Sequence, residues 1–266
     1  MKKFYNTLLG VLVFSALFSS CEKTEGALYG GEANKISFFS PQTALNMESG
    51  TLNIPVGRTS STGELSVPVT ITATGAGYTN VFTMDGPVVF ADGQAKSYAK
   101  VKYGDFSKID PSALSVTANG LDVNVGLAFP ISLNIADDYL SPSKKKKIDV
   151  LATSELTFDP PTMTKLNSVD GWEGAILDVQ IQKAKGANVY KLISPFGANN
   201  IAFMIKSDGK TVLFPNQVIY NHPSYGPVSM SNVTGSVANG KVTLKVGGYT
   251  VSAGSFGGGT EIIDLP

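Results

Sequence analysis

Phe129-Pro130-Ile131-Ser132-Leu133-Asn134-Ile135 decides the fold class. Its apolar residues fall at every second position. That period places Phe129, Ile131, Leu133 and Ile135 on one face of a pleated strand, with polar partners opposite. Helical periodicity is nowhere sustained for even about ten residues. Working outward, the same alternation recurs in Leu52, Ile54 and Val56, in Leu65, Val67, Val69 and Ile71, in Val88 and Phe90, and in Ala99, Val101 and Tyr103. Ser60-Ser61-Thr62-Gly63 reads as a hairpin loop, and Ala91-Asp92-Gly93 as a turn. Asp137 to Ser143 turns the chain, and Ile148, Val150 and Ala152 return it. Short strands separated by turn chemistry over residues 36–157 predict a β-sandwich.

Asp159-Pro160-Pro161 closes this region, because two prolines deny backbone donors and hold the chain extended. Residues 158–171 therefore read as a linker. Trp172-Glu173-Gly174 then opens a second domain, residues 172–266. Ile176, Val179 and Ile181 suggest one strand, Val189 to Ile193 another, and Ile201 to Ile205 a third. Ser207-Asp208-Gly209-Lys210 and Asn239-Gly240 carry the strongest two-residue hairpin signals. Strands at Val242, Leu244 and Val246 and at Tyr249, Val251 and Ala253 follow. The fold class is all-β: a β-sandwich, then a small antiparallel barrel or sandwich.

The chain has 266 residues, 21 basic and 21 acidic side chains, and 16% charged residues against about 25% in soluble domains. A neutral balance offers no electrostatic footprint for nucleic acid, since only Lys144 to Lys147 cluster. Cys21 is the one cysteine, so no disulfide forms within the chain.

Residues 1–20 read as a secretory leader. Lys2 and Lys3 give a positive start, Leu8 to Phe18 an apolar run, and Ser19-Ser20 a small-residue cleavage site. The run is too short for a membrane span of about 20 apolar residues. A cysteine directly after the small residues resembles the lipobox of bacterial lipoproteins, although Phe18 stands where leucine is usual. The resemblance implies lipidation of Cys21, which would become the acylated first residue and anchor the protein to a membrane. Residues 21–35 read as a flexible tether. Its acidic residues after Cys21, interrupted by Lys23, resemble the surface-export signal of Bacteroidetes-type lipoproteins.

Two further resemblances concern the domains. Thr51-Leu52-Asn53-Ile54-Pro55-Val56-Gly57-Arg58, Pro87-Val88-Val89-Phe90-Ala91-Asp92-Gly93-Gln94 and Phe129 to Leu133 resemble a Calx-beta domain over roughly residues 36–155. That family implies an Ig-like sandwich, sometimes calcium-binding and often a spacer or adhesion module. Val189 to Gly197, with Tyr249 and Gly254-Ser255-Phe256-Gly257, resembles the C-terminal β-domain of Bacteroidetes-type surface lipoproteins.

Chemistry is sparse. The sole histidine, His222, falls in Tyr220-Asn221-His222-Pro223-Ser224-Tyr225, a polar stretch that reads as an exposed loop. Ser141-Pro142-Ser143-Lys144 has S-x-x-K spacing but sits in a turn rather than on the helix that motif requires. Gly209-Lys210-Thr211 has Met204 where a phosphate loop needs glycine. One histidine and one cysteine supply no zinc spacing. Asp85, Asp92, Asp105, Asp137 and Asp138 are positioned as turn formers, with only Asp137-Asp138 forming a dense acidic pair for calcium. No catalytic residue, metal or cofactor is assigned.

Sugar recognition uses flat aromatic faces beside amides and hydroxyls. Tyr220, Tyr225 and Asn221 are the ligand-binding candidates, because a proline-containing loop is where aromatics are least buried. The expected protein is a non-catalytic outer-membrane, cell-surface lipoprotein that binds glycan or a surface partner through its second domain. The alternative is a structural subunit of a cell-surface assembly, its strand edges pairing with a partner chain.

Overall fold

A computed structural model describes residues 35–47, 50–73 and 75–266. The leader and Cys21 lie outside these residues. The architecture is all-β, with two units joined by a shared packed face.

The first unit holds β1 (Ile36–Phe38), β2 (Gln42–Asn46), β3 (Thr51–Arg58), β4 (Leu65–Val67), β5 (Val69–Ala73), β6 (Phe82–Met84), β7 (Val88–Phe90), β8 (Lys96–Tyr103), β9 (Ala113–Asn119), β10 (Asp122–Ile135) and β11 (Lys147–Glu155). One sheet runs β1-β3-β8-β6 and another β2-β11-β10-β5, with β9 also on β10 and a small β4-β7 pair beside them. Among the described residues the strand pairings here are antiparallel except β2 on β11, and an isolated Ile36–Leu140 bridge is also parallel. The stretch that decides the fold class ends β10, the 14-residue strand at the centre of its sheet. Phe129, Ile131, Leu133 and Ile135 are all buried, meeting Leu52, Ile54, Val56 and Val101 of the opposite sheet in one core. Phe129 also meets the rings of Tyr78 and Phe82, at 5.8 and 5.7 Å between centroids.

Two prolines mark where strands change partners. Proline cannot donate to a ladder and is unusual in a central strand. Pro130 falls between the part of β10 paired with β9, which ends at Ala128, and the part paired with β5, which begins at Ile131. Pro68 likewise separates β4, which pairs with β7, from β5, which pairs with β10. The alternating run from Leu65 to Ile71 is therefore split between two sheets.

The loop at Ser60-Ser61-Thr62-Gly63 is not a hairpin. It carries the chain from β3, whose neighbours are β1 and β8, across to β4, which pairs with β7. Arg58 governs this crossing. It continues the inward parity of Leu52, Ile54 and Val56, and it is only 4% exposed. Its guanidinium donates to the carbonyls of Gln94 (2.5 Å), Gly63 (2.9 Å), Ser61 (2.7 Å) and Ala91 (2.9 Å), and it lies 5.3 Å from the Phe90 ring centroid. Asp92 fixes the same crossing by accepting the Gly63 N–H at 2.6 Å.

The second unit contains β12 (Thr162–Asn167), β13 (Ile176–Lys183), β14 (Val189–Ile193), β15 (Ile201–Ile205), β16 (Thr211–Leu213), β17 (Gln217–His222), β18 (Gly226–Ser231), β19 (Thr234–Ala238), β20 (Lys241–Val246), β21 (Gly248–Val251), β22 (Gly254–Ser255) and β23 (Gly259–Asp264). Eight of them close a barrel, β12-β13-β14-β15-β16-β19-β20-β23, and β17-β18-β21-β22 form a four-stranded sheet beside it. The barrel needs β12 to close, through Leu166 opposite Ile263. The stretch 158–171, read as a linker, thus carries a barrel strand. Only Leu166 of β12 is buried, so its sequence shows no alternation. Trp172 lies between β12 and β13, inside this unit rather than at its start.

β15 joins the two units. All five of its residues are buried: Ile201, Phe203 and Ile205 in the barrel core, Ala202 and Met204 in the core continuous with the sandwich. Asp122 anchors the polar part of this junction. It accepts Lys191 Nζ (3.0 Å) and Asn200 Nδ2 (2.8 Å) from the second unit, while the Asn200 N–H donates to the Leu121 carbonyl at 2.8 Å. Asn188 Nδ2 donates to the Ser107 carbonyl and the Ser207 N–H to Asp110 Oδ1, at 2.8 and 2.7 Å.

Candidate functional site

Half of the Tyr220–Tyr225 stretch is strand rather than loop: β17 runs through His222, and Pro223, Ser224 and Tyr225 turn the chain into β18. The ladder between these strands is irregular. Val218 faces Ser229 and Tyr220 faces Val228, so β17 holds one extra residue between those pairs, a β-bulge. Such a bulge reverses the parity of everything beyond it. Gln217 and Ile219 point inward before it, and Tyr220 and His222 share the face of buried Val228 after it.

That change of parity builds an aromatic face over one end of the barrel. Trp172 lies 5.2 Å from Tyr249, 5.6 Å from Phe256 and 6.1 Å from Tyr220 between ring centroids. His222 stacks on Phe256 at 5.6 Å and contacts Tyr225 at 4.8 Å, while Tyr225 meets Phe256 edge-on at 5.6 Å. Tyr225 and Phe256 are 50% and 47% exposed, and Tyr249 forms the buried floor. Each contact lies within the range of favourable offset and edge-to-face ring pairs. Tyr220 and Tyr225 thus belong to one continuous face. Asn221, next to Tyr220 on the strand, is exposed on the opposite side and does not join it. His222 is half-buried in this face rather than a free loop histidine, and its Nδ1 accepts the Ser224 N–H at 3.1 Å.

Beneath the rings lies a carboxylate that the sequence reading did not single out. Glu261 is 1% exposed and shares the inward parity of Ile263 on β23. Its Oε1 accepts the Tyr249 hydroxyl at 2.6 Å and the Trp172 N–H at 2.9 Å. Its Oε2 is buried with no hydrogen-bond partner. Gly171 passes so close that a Cβ there would strike Glu261 Oε1. Burial pushes the Glu261 carboxyl above the ordinary glutamate range, with nearby Glu173 adding to the effect, against the opposing influence of Tyr249, Trp172 and Ser168. Burial, then the Glu261 carboxylate, pushes the Tyr249 hydroxyl up as well. The signal in sequence was slight: Glu261 alternates in step with Ile263.

The aspartates considered for calcium are dispersed. Asp85 pairs with Lys102, Asp137 with Lys146, and Asp92 holds Gly63. Asp105 accepts the Ser107 N–H and hydroxyl, which hold its carboxyl below the usual range. Among the described residues no group of three or more His, Cys, Asp or Glu is placed to hold a metal ion. A depression of about 370 Å³ lies on the first unit beside Asn80, Asp105 and Lys108, and its carboxylate is already committed to Ser107.

No protein-family model matches the chain, and no curated protein matches it. Crystal structures of Bacteroides ovatus proteins align with it weakly. One of unknown function shares 8% identity at a TM-score of 0.32, covering 87% of this chain and 93% of that one. Another of unknown function has 8% identity and a TM-score of 0.32, covering 87% and 90%. A multidomain protein including DUF1735 has 10% identity and a TM-score of 0.29, covering 86% and 92%.

Proposed function

We propose that this is a non-catalytic, lipid-anchored protein of the outer cell surface that binds glycan through the aromatic face of its second unit. The observation that supports this reading is the pairing of two half-exposed rings, Tyr225 and Phe256, edge to face around His222. Exposed rings fixed by neighbours offer apolar surface at little entropic cost, which suits the C–H faces of a pyranose. The exposed hydroxyl residue Ser224 on the adjoining turn offers a partner for sugar hydroxyls. Anchoring rests on the lipobox-like Ser19-Ser20-Cys21.

The test is binding to a panel of polysaccharides by glycan array and calorimetry. Tyr225→Ala and Phe256→Ala should each weaken the best binder about ten-fold, the worth of one ring contact, with the melting temperature little changed. Unchanged affinity in both variants overturns the assignment of the face. If no glycan binds the wild type while a surface protein co-purifies stoichiometrically, the protein is an assembly subunit instead. Cys21→Ala should release the protein from the membrane fraction; continued normal partitioning disproves the anchor.

A further inference from the structure

The loop over the barrel mouth, residues 168–174, has one side-chain anchor at its tryptophan backbone, the Glu261 carboxyl. Glu261 Oε1 takes both the Trp172 N–H and the Tyr249 hydroxyl, leaving Oε2 sealed without a donor. The loop is also stitched to itself, the Gly171 N–H and Gly174 N–H both reaching the Ser168 carbonyl at 2.9 and 3.0 Å. The Thr260 N–H, beside Glu261, donates to the Asp170 carbonyl at 2.8 Å. Charge on a carboxylate with one orphan oxygen is costly in such a place, whereas the neutral acid still accepts both bonds at Oε1. The Ser168 hydroxyl faces the carboxyl but does not reach hydrogen-bond geometry with Oε2, so full relief for the ionised form requires water there. Gly171 packs against the carboxyl and Trp172 is bonded to it, so admitting water displaces the loop.

We propose that Glu261 is a proton-operated latch: the neutral carboxyl holds Trp172 and its loop closed over the barrel mouth, and ionisation loosens them to uncover aromatic surface. The groups facing Glu261 are Tyr249 from β21 and Glu173, Ser168 and Trp172 from the loop. No cation is among them to stabilise the charged form. The direction agrees with the carboxyl's tendency to hold its proton above the ordinary glutamate range. The latch rests on the glycan reading only for its consequence, namely that it would regulate the contact face.

Trp172 is the chain's one tryptophan, so its fluorescence reports the latch with no ligand present. The full chain is titrated from acid to mildly alkaline pH, following the emission maximum and acrylamide quenching. The wild type should show a one-proton transition with its midpoint above the ordinary glutamate value, emission moving to the red and quenching rising about two-fold as pH increases. Glu261→Gln should stay at the acid-form values throughout. Tyr249→Phe removes a donor that favours the charged form, so its midpoint should move higher still. A wild type without the transition, a Glu261→Gln variant that keeps it, or a Tyr249→Phe midpoint that stays in place each overturns the proposal. Success here with no glycan bound leaves the latch standing and the glycan reading lost.

Discussion

Arg58 shows how one residue can hold a crossing between sheets. Four carbonyls from two separate turns, Ser61 and Gly63 in one and Ala91 and Gln94 in the other, share its guanidinium. Carbonyls deprived of a buried donor cost more than the bonds themselves contribute. Arg58→Met, which keeps the stem and removes the donors, should destabilise the protein by about 2–3 kcal/mol in urea unfolding. Arg58→Lys should recover only part of this, since an ammonium lacks the planar fork that serves divergent acceptors. A loss below about 0.5 kcal/mol for Arg58→Met would refute the role. Arg58 and Glu261 share a lesson about legibility. Each keeps the inward parity of apolar neighbours on its strand, so the sequence carried the position but not the partners. What satisfies a buried polar group comes from loops distant in the chain, which periodicity does not report.

At the scale of elements, alternation located the central strands well. Residues 189–193 and 201–205 are strands with the bounds expected, and the Asn239-Gly240 hairpin closes β19 on β20 with Ala238 opposite Lys241. Both turn residues there have positive φ, 50° and 72°, the conformation that favours Asn-Gly. Elements that bury little were lost. β12 buries only Leu166 and shows no two-residue period, whereas β9 alternates through Leu114 and Val116 but buries neither fully, which leaves its signal short and weak. The barrel could be expected, but its closing strand could not. The local structure of the candidate residues departs from expectation for a different reason. Tyr220, Asn221 and Tyr225 were grouped as neighbours in a loop, whereas the bulge in β17 sends Tyr220 and His222 to one side and Asn221 to the other. No residue in Val218-Ile219-Tyr220 announces a bulge; it arises from the pairing with β18.

Across the whole molecule, Asp122 is the polar hinge-pin of the junction. The Lys191 side chain is 10% exposed and that of Asp122 is 51% exposed, so the lysine depends on the pair more than the aspartate does. Burial pushes the Asp122 carboxyl up, but Asn200, the Val123 N–H and Lys191 outweigh it and hold it below its ordinary value of 3.8. Its native pKa is depressed, so its contribution is present above the unfolded value and fades as pH falls through the native one. Asp122→Ala strands the buried Lys191 ammonium and should cost about 1–3 kcal/mol near neutrality, discounted for the exposure of Asp122. The deficit relative to wild type should shrink in acid below the ordinary aspartate value. A deficit unaltered by acid would mean that the charge on Asp122 plays no part at the junction.

The double burial of β15 bears on how the gene can be cut. Severing the chain near Asp159 to obtain either half would lay bare Val189, Ala202 and Met204 on one fragment and the matching oily patch on the other. Apolar surface laid open to water in this way favours association, so each piece should clump when made alone. Mixed together, the two fragments should find one another and restore the uncut protein's behaviour.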